Sequence, residues 1–226
     1  MTIRPNFGDV PRRLSDQVAG FLREEIYSGH LAPGERLLEV EICERLGISR
    51  APLREALLTL HADGLLDMRP HRGATVTAFS DDDIREIFAL RLHLDPLAAS
   101  VAARRCDPDA IESLRAALTQ MDMAVQHGDG LAEALAHADF HRALGRASGM
   151  TRLASFIDLL CTQMLASHGT GMIDNPDQAS TLMPDHAAIV EAIAAGDADE
   201  AAEKTRAHFR PVDPMLDSYR RLRDAS

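Results

Sequence analysis

The sequence predicts a mainly α protein in two parts: a small helical unit closed by two short strands, then a larger all-helical bundle. Three observations carry this expectation. Apolar residues recur at helical spacing through most of the 226 residues. The stretch "LLDMRPHRGATVTAF" instead reads as two short strands around a tight turn at Pro70–Gly73. Charge is also divided unevenly, with 10 Arg against 11 Asp/Glu in residues 1–78 and 14 Lys/Arg against 24 Asp/Glu in residues 79–226. The expected domains are therefore 1–78 and 79–226, joined by a short linker near Ala78–Ser80.

Each element has a local reason. Leu14, Val18, Phe21, Leu22 and Ile26 form the apolar stripe of a first helix that ends near Gly29. "LAPGERL" reads as a turn punctuated by Pro33-Gly34. A short helix over Glu39–Leu46 is stopped by Gly47. Ser49 is the expected N-cap of the next helix, and Pro52 falls in its first turn, where a missing N–H costs little. That helix runs through Leu53, Ala56, Leu57 and Leu60 to Gly64. From Ser80 the texture changes. "SDDD" places carboxylates at the positive end of a new helix dipole. Breaks at Asp107-Pro108, Gly128–Gly130, Gly149, His168–Pro184, Gly196 and Pro211 divide the remainder into about six helices.

Bulk properties narrow the function. The net charge is −11, and a uniformly acidic chain would bind nucleic acid poorly. The acidity belongs to the second part, and every basic residue except Lys204 is an arginine, suited to bidentate contacts. With no Trp and two Tyr, stacking of bases on aromatic platforms is not expected. Three separated cysteines, Cys43, Cys106 and Cys161, give neither a CxxC motif nor a disulfide framework. No stretch reaches 18 uninterrupted apolar residues, and "MTIRPNFGDVPRR" lacks the apolar run of a signal peptide. A cytoplasmic protein without membrane association is expected.

Helix, short helix, turn, longer helix and two-stranded wing is the order of a winged helix-turn-helix. The helix that follows Ser49 would enter the major groove by its N-terminal end. Arg50 and Arg54, four residues apart, share its exposed face. Ser49, Arg50 and the helix N-terminus suit phosphate, and either arginine suits guanine O6/N7. The wing tip His71-Arg72-Gly73 suits the minor groove, with Gly73 permitting close backbone approach. The stretch "GERLLEVEICERLGISRAPLREALLTLHADGLLDMRPHRGATV" resembles the GntR family of bacterial regulators almost end to end, over roughly residues 11–78. The resemblance implies that Arg50, Arg54 and His71 to Gly73 contact DNA, and Arg36 is a further candidate for phosphate.

Histidines mark the second half. His137 and His141 are one helical turn apart in "LAHADFHRAL", His186 opens "DHAAIVEAIAAGD", and His208 lies near the end of "AAEKTRAHF". Imidazoles from three antiparallel helices can converge in a bundle core to hold a divalent ion. Zinc is the first expectation, with nickel, iron or manganese as alternatives. The other reading of these rings is as separate buried or solvated residues. "HADFH" lacks the glutamate of an HExxH hydrolase, and there is no G-x-S-x-G, P-loop or GxGxxG, so an enzyme is not expected.

Residues 81–210 resemble the FCD effector domain of the FadR subfamily, through "IREIFALRLHLDPLAASVAA", "DFHRALGRASG" and "DHAAIVEAIAAGDADEAAEKTRAHF". The helix count fits the shorter, VanR-like variant. In metal-binding members the ligands are three histidines plus an aspartate one turn before the first. His141, His186 and His208 match the histidines, whereas His137 stands at the aspartate position and Asp139 points elsewhere on a regular helix. The resemblance also assigns Arg91 to the effector pocket, where it would pair with a carboxylate. The alternative for Arg91 is a surface salt bridge with Asp95, its i+4 neighbour.

The expectation is a ligand-responsive transcription regulator acting as a repressor. It would bind a palindromic double-stranded operator as a homodimer, with a small organic acid as effector at the metal and Arg91. The rival readings are a metal-sensing regulator with a structural metal and, more remotely, a metal-dependent hydrolase.

Overall fold

The computed structural model describes residues 13–69, 73–167 and 186–209. They divide into two compact units, with the boundary between Thr77 and Ala78.

The first unit is ordered α1 (Leu14–Tyr27), β1 (Arg36–Leu37), α2 (Glu39–Leu46), α3 (Arg50–Ala62), β2 (Leu66–Arg69) and β3 (Gly73–Val76). Its core follows the helical stripes: Val18, Ala19, Leu22 and Ile26 of α1 and Leu53, Ala56, Leu57 and Leu60 of α3 are buried. α1 packs on α3. Each such leucine contributes about 1.5–3 kcal/mol by leaving water. Gly47 ends α2 at φ +64°, a left-handed cap that favours glycine.

The strands form an antiparallel sheet in the order β1-β3-β2. Leu66 pairs with Val76 and Arg69 with Gly73 across the wing. The segment read as a turn supplies the extra strand β1, in which Arg36 pairs with Thr75 and Leu37 with Ala74. Two residues are too few to show a period of two, so the pattern had nothing to display.

The second unit is all-helical among the described residues: α4 (Asp81–Arg105), α5 (Pro108–His127), α6 (Gly130–Ala147), α7 (Thr151–Ser167), α8 (His186–Ala194) and α9 (Ala198–His208). Six helices here match the expected number. Ser80 and Asp83 close a capping box at the start of α4, and Asp107, Asp129 and Asp197 cap α5, α6 and α9.

α4 is the spine, packing against α6, α7, α8 and α9. Its Ala98, Ala99, Ala102 and Ala103 are buried, as are Ala201 and Ala202 of α9, so these two helices meet through small residues. At the α6–α7 crossing a Cβ on Gly145 would stand 3.2 Å from Ala154 Cα, which explains glycine there. No described helix is long and apolar enough to cross a membrane.

Candidate metal centre and DNA-reading helix

His137 and His141 project from α6, His186 is the first residue of α8 and His208 the last of α9. One ring nitrogen from each lies within 4.8 Å of the others. The Nε2 atoms of His141 and His137 are 3.1 Å apart, those of His141 and His208 3.2 Å, and those of His137 and His208 3.4 Å. His141, His186 and His208 are buried and His137 half-buried. Phe140 packs edge-on to His186 and Phe209 adjoins His141 and His208, giving the cluster an apolar wall.

The proton positions follow from the partners. His141 Nδ1 donates to Asp95 Oδ1 at 2.7 Å. In a neutral ring its Nε2 therefore carries a lone pair. Burial first, then neighbouring imidazoles and Arg91, holds His137 well below the ordinary histidine value. Burial and then the Arg91 cation do the same for His141 and bring His186 down to about 4. His137, His141 and His186 are thus neutral at neutral pH, which is the form that ligates a metal.

Fit to a metal can be judged from the donors. Three mutually close Nε2 atoms, one of them unprotonated, cannot place a proton along all three edges in good geometry. His186 Nε2 is buried and makes no hydrogen bond with the described residues. Four nitrogens held about 2.0–2.1 Å from a tetrahedral zinc stand about 3.3 Å apart, close to the three spacings observed. The donor set fits a divalent ion.

Arg91 and Asp95, one turn apart on α4, form an ion pair of 3.2 Å with side chains 3% and 0% exposed. The Arg91 guanidinium also lies over the Phe209 ring, 4.9 Å from its centroid. The pair with Asp95 expected at the surface is present but buried, because a guanidinium taken into the core needs a nearby carboxylate. Asp139 bonds Arg142 at 3.0 Å and stands apart from the histidines.

In the first unit, Ser49 occupies the N-cap position of α3 and Arg50 begins the helix, both exposed. The Ser49 side chain makes no capping bond, contrary to its expected role as a cap. Arg54 Nε donates to Glu39 Oε2 of α2 at 3.0 Å. Arg36, exposed on β1, lies against the wing, since a Cβ on Gly73 would be 4.0 Å from Arg36 Nε. Gly73 has φ +78°, in the left-handed region. His71 and Arg72 lie outside the described residues, as does the tail after Pro211.

Comparison with known proteins decides the family. Residues 14–76 match the family described as bacterial regulatory proteins, gntR family, and residues 86–211 match the FCD domain. The chain belongs to the GntR family and carries an FCD domain. It is 33% identical to the "Probable D-xylose utilization operon transcriptional repressor" of Paenarthrobacter nicotinovorans, across 86% of this chain and 84% of that one. It is 30% identical to the HTH-type transcriptional regulator McbR of Escherichia coli over 67% of this chain and 68% of McbR. The solved structure of E. coli McbR/YncC superposes with a TM-score of 0.74 at 25% identity, covering 91% of this chain and 98% of that one.

As a GntR-family regulator with an FCD domain, the protein is a DNA-binding transcription regulator, and its matched relatives are regulators rather than enzymes. FCD domains can bind metal, and the four clustered histidines of this GntR protein lie within its FCD match. Two partners escaped sequence reasoning. Glu39, 15 residues before Arg54, and Asp95, 46 before His141, are each brought to their partner by helix packing. No spacing rule along one helix reaches across two.

Proposed function

We propose that this protein is a metal-dependent transcriptional repressor that binds a palindromic operator as a homodimer. His137, His141, His186 and His208 would hold one divalent ion, zinc first, and Arg50 and Arg54 would read the major groove with Ser49 on phosphate. Arg36, Gly73 and the adjoining His71 and Arg72 would serve the wing. The convergence of four imidazoles from three helices carries this reading. A bound divalent ion supplies a fixed cross-link between α6, α8 and α9. The repressive sign is supported by the name of the Paenarthrobacter relative. Operator binding places its work in the cytoplasm.

Four nitrogen donors fill a tetrahedral ion, as in closed structural sites. Metal sensing is therefore the first reading. A small carboxylate as effector is the second, favoured by the buried Arg91, whose Nε has no hydrogen-bond partner among the described residues.

Protein purified without chelator should carry close to one zinc-class ion per chain by elemental analysis. Its retardation of the DNA upstream of its own gene should change at least several-fold when a chelator removes that ion. Metal-free protein with unaltered operator affinity would overturn the reading. Calorimetry with small carboxylates, with and without chelator, tests the second: heat that depends on Arg91 supports it, and no heat rejects it.

A further inference from the structure

We infer that Asp95 is a positioning residue for the histidine cluster, fixing the tautomer and aim of His141 while being shared with Arg91. The inference deepens the metal-dependent reading above and rests on it in part.

Asp95 sits on α4, a helix that supplies none of the four histidines, and its side chain is fully buried. Its Oδ1 accepts from two donors, His141 Nδ1 at 2.7 Å and Arg91 Nη2 at 3.2 Å. Its Oδ2 is buried and accepts no hydrogen bond from the described residues. Both donors thus converge on one oxygen, although a carboxylate has lone pairs enough to separate them. The shorter contact goes to the imidazole.

A carboxylate that takes the Nδ1 proton leaves Nε2 as a lone pair, and it restrains rotation of the ring about its bond to Cβ. In His141 that Nε2 faces the Nε2 atoms of His137 and His208. Carboxylate partners of ligating histidines raise ligand basicity and fix orientation, and losing one typically costs about 10–100-fold in metal affinity. Arg91 has a separate task, since burial disfavours a carboxylate charge in this apolar core and a guanidinium beside it works the other way. Because both donors use Oδ1, a change at His141 is felt at Arg91, which also stacks on Phe209 next to His208. Asp95 is the one described side chain bonded to both the histidine cluster and the buried cation.

The test uses the full-length protein with zinc and a competing chelator, together with ring-nitrogen NMR of the metal-free chain. Asp95→Asn removes the charge at nearly constant shape. Arg91→Met/Asp95→Leu replaces the whole ion pair by apolar groups of similar volume, a change that keeps folding secure where the single variant does not. Zinc affinity should fall about 10–100-fold in each folded variant. In the wild type, metal-free His141 should carry its proton on Nδ1 alone, and in the double variant the proton should appear on Nε2. Equal zinc affinity within twofold in wild type and variants overturns the inference. So does a wild-type His141 protonated on Nε2, even if affinity falls. A wild-type chain that takes up no zinc would defeat the metal-dependent reading, while the tautomer measurement would still decide the role of Asp95.

Discussion

Arg54 of α3 is tethered to Glu39 of α2 by an Nε–Oε2 hydrogen bond of 3.0 Å. Nε is one of three nitrogens in the guanidinium fork. With Nε engaged, the two terminal nitrogens remain as the donors that would meet guanine O6 and N7 end-on. The pair is largely exposed, with side chains 61% and 31% accessible, so it contributes little to folding. Arg54→Ala is therefore expected to weaken binding to the cognate operator by roughly 10–100-fold, corresponding to about 1–3 kcal/mol of base discrimination. Its melting temperature should not change. Fluorescence anisotropy with operator and scrambled duplexes checks this, and unaltered operator affinity would remove Arg54 from the reading face.

Ser49 yields a second expectation. A serine N-cap normally satisfies an orphan N–H of the first turn, and its removal costs about 1 kcal/mol. Here the side chain makes no such bond although the backbone has the extended cap conformation. Ser49→Ala should leave thermal stability within about 0.5 kcal/mol of wild type. If the hydroxyl serves phosphate, DNA affinity should fall similarly for cognate and unrelated sequences, because phosphate contacts carry no base information. A full capping penalty in a denaturant melt would show that the hydroxyl works within the helix instead.

How much of this was legible in the sequence depended on the range of each interaction. Helical stripes such as Val18, Leu22 and Ile26, and stops such as Gly47, are set within a few residues and read directly. The order helix, short helix, helix and wing followed, as did the six helices among the described residues of the second unit. The histidine cluster was legible because His137 and His141 share a face by spacing and His186 and His208 stand at helix ends. What was hidden depends on packing between helices. Asp95 is visible in sequence as a neighbour of Arg91, but its bond to His141 exists only because α4 crosses α6. Strand β1 was hidden for another reason: its pairing with β3 is made by two residues inside a Pro-Gly turn region.

Acid should destabilise the chelator-treated protein. His137 and His141 are held well below the ordinary value and His186 at about 4, chiefly by burial. An unfolded histidine titrates near 6.5, so between there and about 4 the unfolded chain binds more protons than the native one. Stability then rises with pH across that window and is lost as pH falls from about 6.5 toward 4. For His186 alone the loss amounts to about 3 kcal/mol at the acid end. Urea melts at pH 7.5, 6 and 5 measure it. The dependence should shrink in His186→Phe, and a wild-type midpoint independent of pH would contradict neutral burial of these rings.

Removing two ligands tests the centre most directly. His141→Ala/His186→Ala deletes one ring from α6 and the ring that opens α8, leaving His137 and His208. Two imidazoles cannot hold a zinc-class ion at the strength of four, so elemental analysis should find no stoichiometric metal in the double variant. The same measurement has a thermodynamic counterpart. A ligand bound only by the native state stabilises by RT ln(1 + [L]/Kd), about 2.7 kcal/mol when its free concentration is a hundred times Kd. Wild-type protein should therefore melt at a higher temperature with zinc than with chelator, and the double variant at one temperature in both. Cavities left by the truncated rings lower the melting temperature of the variant, but they do so equally in the two buffers. It is the gap between buffers that reports the metal. Full occupancy in the double variant, or a wild-type gap of zero, would show that these four nitrogens face one another for packing alone.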